Sequence, residues 1–474
     1  MEDFWLPVKD FIFLSVFLLI AIILKNKIGF FKKFLVPTAI IGGFIGLIYR
    51  SILEFTTGAQ DLAVLKLNPD LLGKLVYHLM AIGFISLALK ERSATLKHNK
   101  KDNVNTGLAI TSAYLIQGIF GFAISLLLAY TILPNLFPPF GLLLPLGFAQ
   151  GPGQAYSIGT SWEALGFING GNIGLSIATI GYLWAIFFGI PLLNFLVRRK
   201  ERLGLVGLEK DYKETHAPGN NLEEKHTENI PRKIFIDSLS VQIVLIGIVY
   251  VITYFVLKGI TLALSPLGNY GDTVSQLLWG FHFVIGTMIA ILVRIILNAL
   301  KRKNFLHINY PDNYTLQRIS SASFDYMIVA AIAAISVVTF KENWIAILIV
   351  TTAGGIITTL YAVLLCRRIF KSYVIEHIVS LYGTWTGTIS TGVALLREVD
   401  PESKSNAAEN LVLGSAVALP LGVPLMFILG LAINGYRVNN PMLYLYTLII
   451  FIAFFTVLLL IMIIKRKRNE KSAA

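Results

Sequence analysis

The chain has 474 residues, of which 55% are hydrophobic and only 14% are charged, and its mean hydropathy is +0.70. A soluble domain carries roughly 25% charged residues, so this composition excludes an ordinary soluble enzyme and indicates a polytopic membrane protein. The formal net charge of +13 comes from basic residues in short loops between apolar runs, which argues against a nucleic-acid partner. The single cysteine, Cys366, excludes an intramolecular disulfide and a cysteine metal cage.

Apolar stretches long enough to cross a bilayer of about 30 Å recur along the whole chain. The first, 10–25, follows acidic residues and precedes lysines, the reverse of a cleavable signal peptide, so it predicts a permanent span with its N-terminus outside. The other predicted spans of the first half lie near 35–50, 74–90, 107–132 and 172–196. Those that follow lie near 236–263, 276–298, 322–340, 344–365, 408–433 and 442–464.

Two glycine-punctuated segments, 147–159 and 382–392, interrupt this pattern at matching places in the two halves. A Ser-Ile-Gly at 157–159 and a Ser-Thr-Gly at 390–392 lie 233 positions apart. Runs of Gly-Ile-Pro-Leu from Gly189 and Gly-Val-Pro-Leu from Gly422 have the same separation. Two matches at one separation indicate an internal repeat, and interrupted helices at equivalent places in two halves are typical of a transporter's binding site.

The basic residues fix the predicted orientation. With the N-terminus outside, the loops that carry clustered basic residues are inside, as the positive-inside rule requires: 25–33, 90–101, 301–318, 367–371 and the tail at 465–468. This pattern holds only if both glycine segments re-enter the membrane on the side they left. The first then enters from outside and the second from inside.

The predicted fold is an all-α polytopic membrane protein with two inverted-topology repeats of five transmembrane helices, each with a re-entrant hairpin, plus one extra C-terminal helix. The first repeat covers 1–196 and contains the re-entrant segment 141–160, and a polar cytoplasmic linker follows at 197–235. The inverted repeat covers 236–433 with the re-entrant segment 376–396. The additional helix and a basic cytoplasmic tail occupy 434–474.

The glycine segments are expected to carry the chemistry. Pro152 lacks a backbone N–H and clashes with a preceding helical turn, and Gly151 and Gly153 loosen the backbone on either side, so a helix must break there. Backbone groups freed at membrane depth must line a cavity or be buried in protein. Freed carbonyl oxygens suit sodium, and the N-terminus of a half-helix attracts a carboxylate.

The candidate site residues follow from these two segments. The predicted substrate-binding residues are Gly151, Gly153, Gln154, Ser157, Thr160, Gly383, Thr384, Thr386, Gly387, Thr388 and Ser390. The predicted sodium ligands are Ser157, Thr160, Thr388, Ser390 and Thr391. The alternative reading, in which small residues only serve close helix packing, is preferred for other glycine pairs such as Gly42 and Gly43.

Few ionisable residues lie at membrane depth, and each is a functional hypothesis for that reason. Asp325 is near the start of a span, Glu376 and His377 lie at the mouth of the second re-entrant segment, and His78 and His282 fall within spans. His78, His282 and Glu376 leave a proton open as the coupling ion.

The chain resembles the bacterial sodium:glutamate symporter family. The resemblance is carried by a basic pair and a proline at 31–37, a Gly-Gly pair at 42–43, and the sequence after the first broken segment, including Thr160-Ser-Trp162 and Asn172. The second segment agrees in position and glycine content. Gly151-Pro-Gly-Gln154 stands in place of the family's histidine-containing signature, and the terminal span is additional.

The resemblance implies a secondary active transporter of the cell inner membrane, not an enzyme, with sodium as the coupling ion and no other cofactor. Its partners are sodium, the lipid bilayer and a substrate that is glutamate or a related small carboxylate. The alternatives are an ion channel lined by the two glycine-rich hairpins and a proton-coupled carboxylate transporter. The oligomeric state is open, a homodimer being one option.

Overall fold

A computed structural model describes residues 2–56, 65–91, 100–200, 235–303, 311–401 and 404–471 of the chain. These residues form helices and no strand, which confirms the predicted all-helical class. The first half contains α1 (Glu2–Lys27), α2 (Gly29–Lys33), α3 (Thr38–Thr56), α4 (Pro69–Leu89), α5 (Lys100–Thr131), α6 (Leu143–Phe148), α7 (Pro152–Glu163) and α8 (Gly170–Arg198). The rest contains α9 (Phe235–Leu264), α10 (Gly268–Gly280), α11 (His282–Arg302), α12 (Asn313–Ala333), α13 (Val337–Ile369), α14 (Val374–Thr386), α15 (Ile389–Arg397), α16 (Ala407–Arg437) and α17 (Met442–Lys471).

Eight of the described helices are long and apolar enough to cross a membrane, judged by length and composition: α4, α5, α8, α9, α11, α13, α16 and α17. The protein is therefore a multi-pass membrane protein. Helices α1, α3 and α12 occupy three more predicted spans but do not belong to this set of eight. The predicted linker, 197–235, lies outside the described residues except at its two ends.

The predicted single span at 276–298 is divided in the structure. Helix α10 ends at Gly280 and α11 begins at His282, with Phe281 between them. The hydroxyl of Ser157 on α7 donates to the Gly280 carbonyl at 2.6 Å. A Cβ on Gly280 would lie only 2.8 Å from Ile158 Cδ1. The break therefore lies where α7 packs closely on the backbone, a tertiary cause that the sequence of the span does not reveal.

The helices pack as two groups. In one group, α12 lies along α3 and α4, and α11 lies along α4 and α9. In the other, α5 lies against α13, α16 and α17, and α8 packs against α7, α13 and α14. The C-terminal helix α17 joins the second group, where the Phe451 ring covers Gly118 of α5. The main contact between the two groups is that of α7 with α10. Since α7 follows the first break, it connects that broken segment to both groups of helices.

Candidate substrate and ion site between two broken helices

The two broken segments meet inside the protein. The first break separates α6 from α7 at Ala149 to Gly151, and the second separates α14 from α15 at Gly387 and Thr388. A Cβ placed on Gly151 would lie 3.6 Å from Thr388 Cγ2 and 4.0 Å from the Gly387 carbonyl oxygen. Segments more than two hundred positions apart in sequence thus lie at one place in the structure.

Gly151 has the backbone conformation that opens the first break. Its φ of 97° with ψ of 177° is a combination that essentially only glycine adopts without strain. Pro152 follows as the first residue of α7, a position where its missing N–H costs nothing. The break is therefore set locally by the Gly-Pro pair, which explains why the sequence located it.

Both breaks present helix N-termini to each other. Gly151, the N-cap of α7, has no side chain to cap its helix, and the side chain of Thr388, the N-cap of α15, makes no capping hydrogen bond. The first N–H groups of a helix have no partner within the helix and carry the positive end of its dipole. Two uncapped N-termini at one point make a region that favours a negatively charged group.

The residues at the second break add hydroxyl groups at the same point. Thr388 Oγ1 and Thr391 Oγ1 lie 3.3 Å apart, and a Cβ on Gly387 would lie 3.0 Å from Thr391 Oγ1. Thr384 and Thr386 instead donate back to the carbonyls of Ser380 and Tyr382, each at 2.8 Å. The first pair faces the break, whereas the second pair lies within α14 and shapes the helix that leads to it.

Helices α5 and α13 support the end of α14 through one buried amide. Gln117 Nε2 donates to the Trp385 carbonyl at 2.9 Å and to Thr358 Oγ1 at 2.8 Å. Gln117 is fully buried, and its Oε1 has no hydrogen-bond partner in the part of the chain that the structure describes. The hydroxyl of Tyr182 and the indole N–H of Trp385 are buried and unpartnered within the same described residues. Buried polar atoms are almost always satisfied in proteins, so this set around the second break is consistent with a bound ligand, ion or water.

Several predicted site residues lie away from the meeting point. Ser157 uses its hydroxyl on the Gly280 carbonyl. Thr160 and Ser390 are exposed at the surface of the helices that carry them. Gly153 lies between the sulfur atoms of Met80 and Met327, and Gly383 packs against the Gly392 Cα; the space at each is too small for a Cβ. The residues that the structure brings together are Gly151, Gln154, Gly387, Thr388 and Thr391.

The intramembrane ionisable residues lie in separate places. His377 is buried, donates from Nδ1 to the Tyr373 carbonyl at 2.7 Å and accepts at Nε2 from the Asn410 amide at 3.0 Å. A neutral ring satisfies both bonds, so His377 holds the start of α14. Asp325 is exposed and interacts electrostatically with Lys25 of α1.

Three residues of the site were not predicted. Gln117 could have been found, because it is a lone amide in the middle of a long apolar run. Thr358 and Tyr182 gave no signal, since threonine and tyrosine are common in transmembrane helices and only the fold places them beside the break.

A cavity of about 890 Å³ lies elsewhere, where the ends of α5 and α16 meet the starts of α8 and α17. Asn135, Asn169 and Tyr436 are among its lining residues, which do not include those of the two breaks. The candidate site is therefore defined by the convergence of polar backbone and side-chain groups and not by this cavity.

The fold and the site define a class: a multi-pass membrane protein in which two interrupted helices meet at one buried, polar point, the arrangement of a transporter. A family model described as sodium/glutamate symporter matches residues 7–394. The chain belongs to the sodium/glutamate symporter family, a family of transporters and not of enzymes. The match ends within α15, so α16 and α17 lie beyond it. Comparisons with curated proteins and with solved structures found no match.

Proposed function

We propose that the protein couples sodium entry to the uptake of glutamate or a related small carboxylate by alternating access. The observation that carries this proposal is the approach of Gly151 to Thr388, which joins the N-termini of α7 and α15. A substrate carboxylate placed there would accept hydrogen bonds from the free N–H groups of both first turns. Because both dipoles point their positive ends at that place, the carboxylate needs no arginine partner.

Sodium would bind beside the substrate at the second break. The Gly387 carbonyl and the hydroxyls of Thr388 and Thr391 provide neutral oxygen atoms close together. Unwound carbonyls and the C-terminal ends of half-helices are groups that coordinate sodium in transporters. The Gln117 Oε1 is a further candidate, since it is buried without a hydrogen-bond partner among the described residues. A cation next to the carboxylate would strengthen substrate binding, which is the physical basis of coupling.

Alternating access requires two halves that can exchange conformations, and helix capping supports such an inverted repeat. Arg50 of α3 donates to the carbonyls of Ala333 and Ala334 at the end of α12, at 3.2 and 2.7 Å. In the reciprocal contact, Arg294 of α11 donates to the carbonyls of Ala88 and Lys90 at the end of α4, at 2.8 and 2.9 Å.

The positions of these groups agree with the same relation. The two arginines lie 244 positions apart. The same separation holds for the N-cap residues Asn68 of α4 and Asp312 of α12, each of which accepts two backbone N–H groups of its first turn. Because α3 caps α12 while α11 caps α4, exchanging the halves reproduces the contacts, as a two-fold relation requires.

The test is uptake of labelled glutamate into proteoliposomes with and without an inward sodium gradient. Uptake that requires the gradient and saturates with glutamate supports both the substrate and the coupling. Uptake of another carboxylate, found by competition, would keep the transporter and replace glutamate. Sodium-independent flux that does not saturate would favour a channel and overturn the proposal.

A further inference from the structure

A second polar cluster lies at the break between α10 and α11, away from the two hairpin breaks. His282, the first residue of α11, is 1% exposed. Its Nδ1 lies 3.2 Å from the Trp279 carbonyl oxygen, and its Nε2 lies 3.1 Å from the Tyr77 carbonyl oxygen. Carbonyl oxygens only accept hydrogen bonds, so both ring nitrogens face acceptors.

A neutral imidazole cannot satisfy this arrangement. It carries one N–H, and the other nitrogen has a lone pair that would face a carbonyl lone pair. Only the imidazolium ion donates from both nitrogens. His377 shows the contrast, since one of its nitrogens faces the Asn410 amide, a donor that a neutral ring accepts.

The surroundings of His282 favour a positive charge in two further ways. Trp279 and Gly280 are the last residues of α10, so the ring lies at the negative end of that helix dipole, which offsets the positive end of the α11 dipole at His282. The ring also stacks on Tyr77 with centroids 3.6 Å apart, and an aromatic face attracts a cation.

Other neighbouring groups oppose the charge. On α4, the titratable groups are Tyr77, His78 and Lys74, the last two being cationic or able to become so. On α9, Tyr250 shares a hydrogen bond of 2.6 Å with His78 Nδ1. Burial also disfavours any charge. Because these effects oppose the hydrogen bonds to the carbonyls, movements of those acceptors change the proton affinity of the ring.

The first hairpin controls one of those acceptors. Ser157 of α7 donates to the Gly280 carbonyl, the third acceptor beside the ring. When α7 moves away, this carbonyl loses its donor and becomes a better acceptor for His282. We propose that His282 is a proton-binding site of the transporter, and that proton binding favours the state in which α7 has left α10. This proposal rests on the proposed function in assigning a second ion to the same transport cycle.

By thermodynamic linkage, a change that lets α7 separate more easily from α10 raises the proton affinity of His282. Acid pH in turn favours the state in which α7 has left α10. The hydrogen bond from Ser157 has the strength of an ordinary hydrogen bond between neutral groups. Removing that donor is therefore expected to shift the titration midpoint of His282 upward by about 0.5 to 1 pH unit.

The experiment is solid-state NMR of the full chain in lipid with ¹⁵N-labelled histidine, titrated between pH 5 and 9. The chain has seven histidines, so the His282 signal is assigned by its loss in His282→Gln. We expect a titrating imidazolium signal that is absent in His282→Gln, survives in His78→Gln, and has its midpoint raised in Ser157→Ala.

A His282 ring that stays neutral over this range overturns the proton site, and an unchanged midpoint in Ser157→Ala overturns its link to the hairpin. Because NMR does not require transport, failure of glutamate uptake leaves this test intact. If His282→Gln fails to fold, the same assignment is made by selective unlabelling in a background where the other histidines are replaced.

Discussion

At the residue scale, the site depends on one backbone conformation and a few neutral oxygen atoms. Gly151 turns the chain between α6 and α7, and Thr388 and Thr391 surround the opposite break. None of these groups carries a formal charge, so binding of charged solutes would come from oriented dipoles held in place by the fold. The supporting amide of Gln117 fixes the carbonyl of Trp385 and thereby the position where α14 ends.

Gly151→Ala should greatly reduce transport without preventing assembly. A methyl group has room there, since the nearest atom would be 3.6 Å away, but alanine is strained at φ 97°. The strain is of order 1–3 kcal/mol, so we expect gradient-driven uptake to fall about tenfold or more. Uptake and membrane expression are measured side by side.

The matched control is Gly247→Ala in α9, where a Cβ would meet nothing within 4 Å. Alanine is favoured over glycine within a helix, so this variant should transport like the wild type. Normal uptake in Gly151→Ala would show that the conformation of the first break is not needed.

At the element scale, side chains form hydrogen bonds with the free backbone groups at both ends of α4 and α12. Arg50 and Arg294 each supply donors to the last carbonyls of a helix from the opposite half. Asn68 and Asp312 close the starts of the same helices. Helices α7 and α15 lack such side-chain caps, so the N–H groups of their first turns are available at the candidate site.

Replacing either arginine should destabilise the protein. In Arg50→Met or Arg294→Met, buried carbonyls at the end of the partner helix lose a charged donor, at a cost of about 1–3 kcal/mol. Arg50 also pairs with Glu54 at 2.7 Å, so its loss should cost at least as much. The measurement is thermal unfolding in detergent.

Lys303→Met, on an exposed residue just after α11, serves as the control and should leave the unfolding temperature unchanged. If Arg50→Met unfolds at the same temperature as Lys303→Met, the capping interpretation is wrong.

At the scale of the whole molecule, the orientation of the two hairpins decides whether the halves are inverted. Each broken segment has an exposed residue nearby: Ile168, which is 80% exposed, follows the first, and Lys371 precedes the second. Inverted repeats place these two positions on opposite sides of the membrane. The predicted charge distribution puts the first outside and the second inside.

Single-cysteine variants test this in a Cys366→Ala background, since Cys366 is the only native cysteine and is buried. A membrane-impermeant maleimide added to intact cells should label Ile168→Cys and not Lys371→Cys. After the membrane is permeabilised so that the maleimide reaches the inner face, Lys371→Cys should be labelled as well. Labelling of both from outside would show that the hairpins enter from one side.

The separation between corresponding positions in the two halves depends on whether it is measured from the sequence matches or from the helix ends. The short matches lie 233 positions apart, whereas the N-cap pairs Gly151 with Thr388 and Asn169 with Asn406 lie 237 positions apart. Four residues are about one helical turn, so the separation measured from the helix ends differs by about one turn from that of the sequence matches. Glycine and serine recur along these helices, and a short match among them cannot fix one turn.

The sequence by itself determined the membrane class, the position of nearly every helix and the place of both breaks. The membrane class and the first break follow from local causes: an apolar run must be helical in lipid, and the Gly-Pro pair at 151–152 cannot continue a helix. Only the tertiary structure decided which groups meet. It brought Gly151 to Thr388, turned Ser157 toward Gly280, and placed Gln117 under Trp385. Those contacts depend on the packing of helices that are far apart in the chain, and no pattern within one segment encodes them.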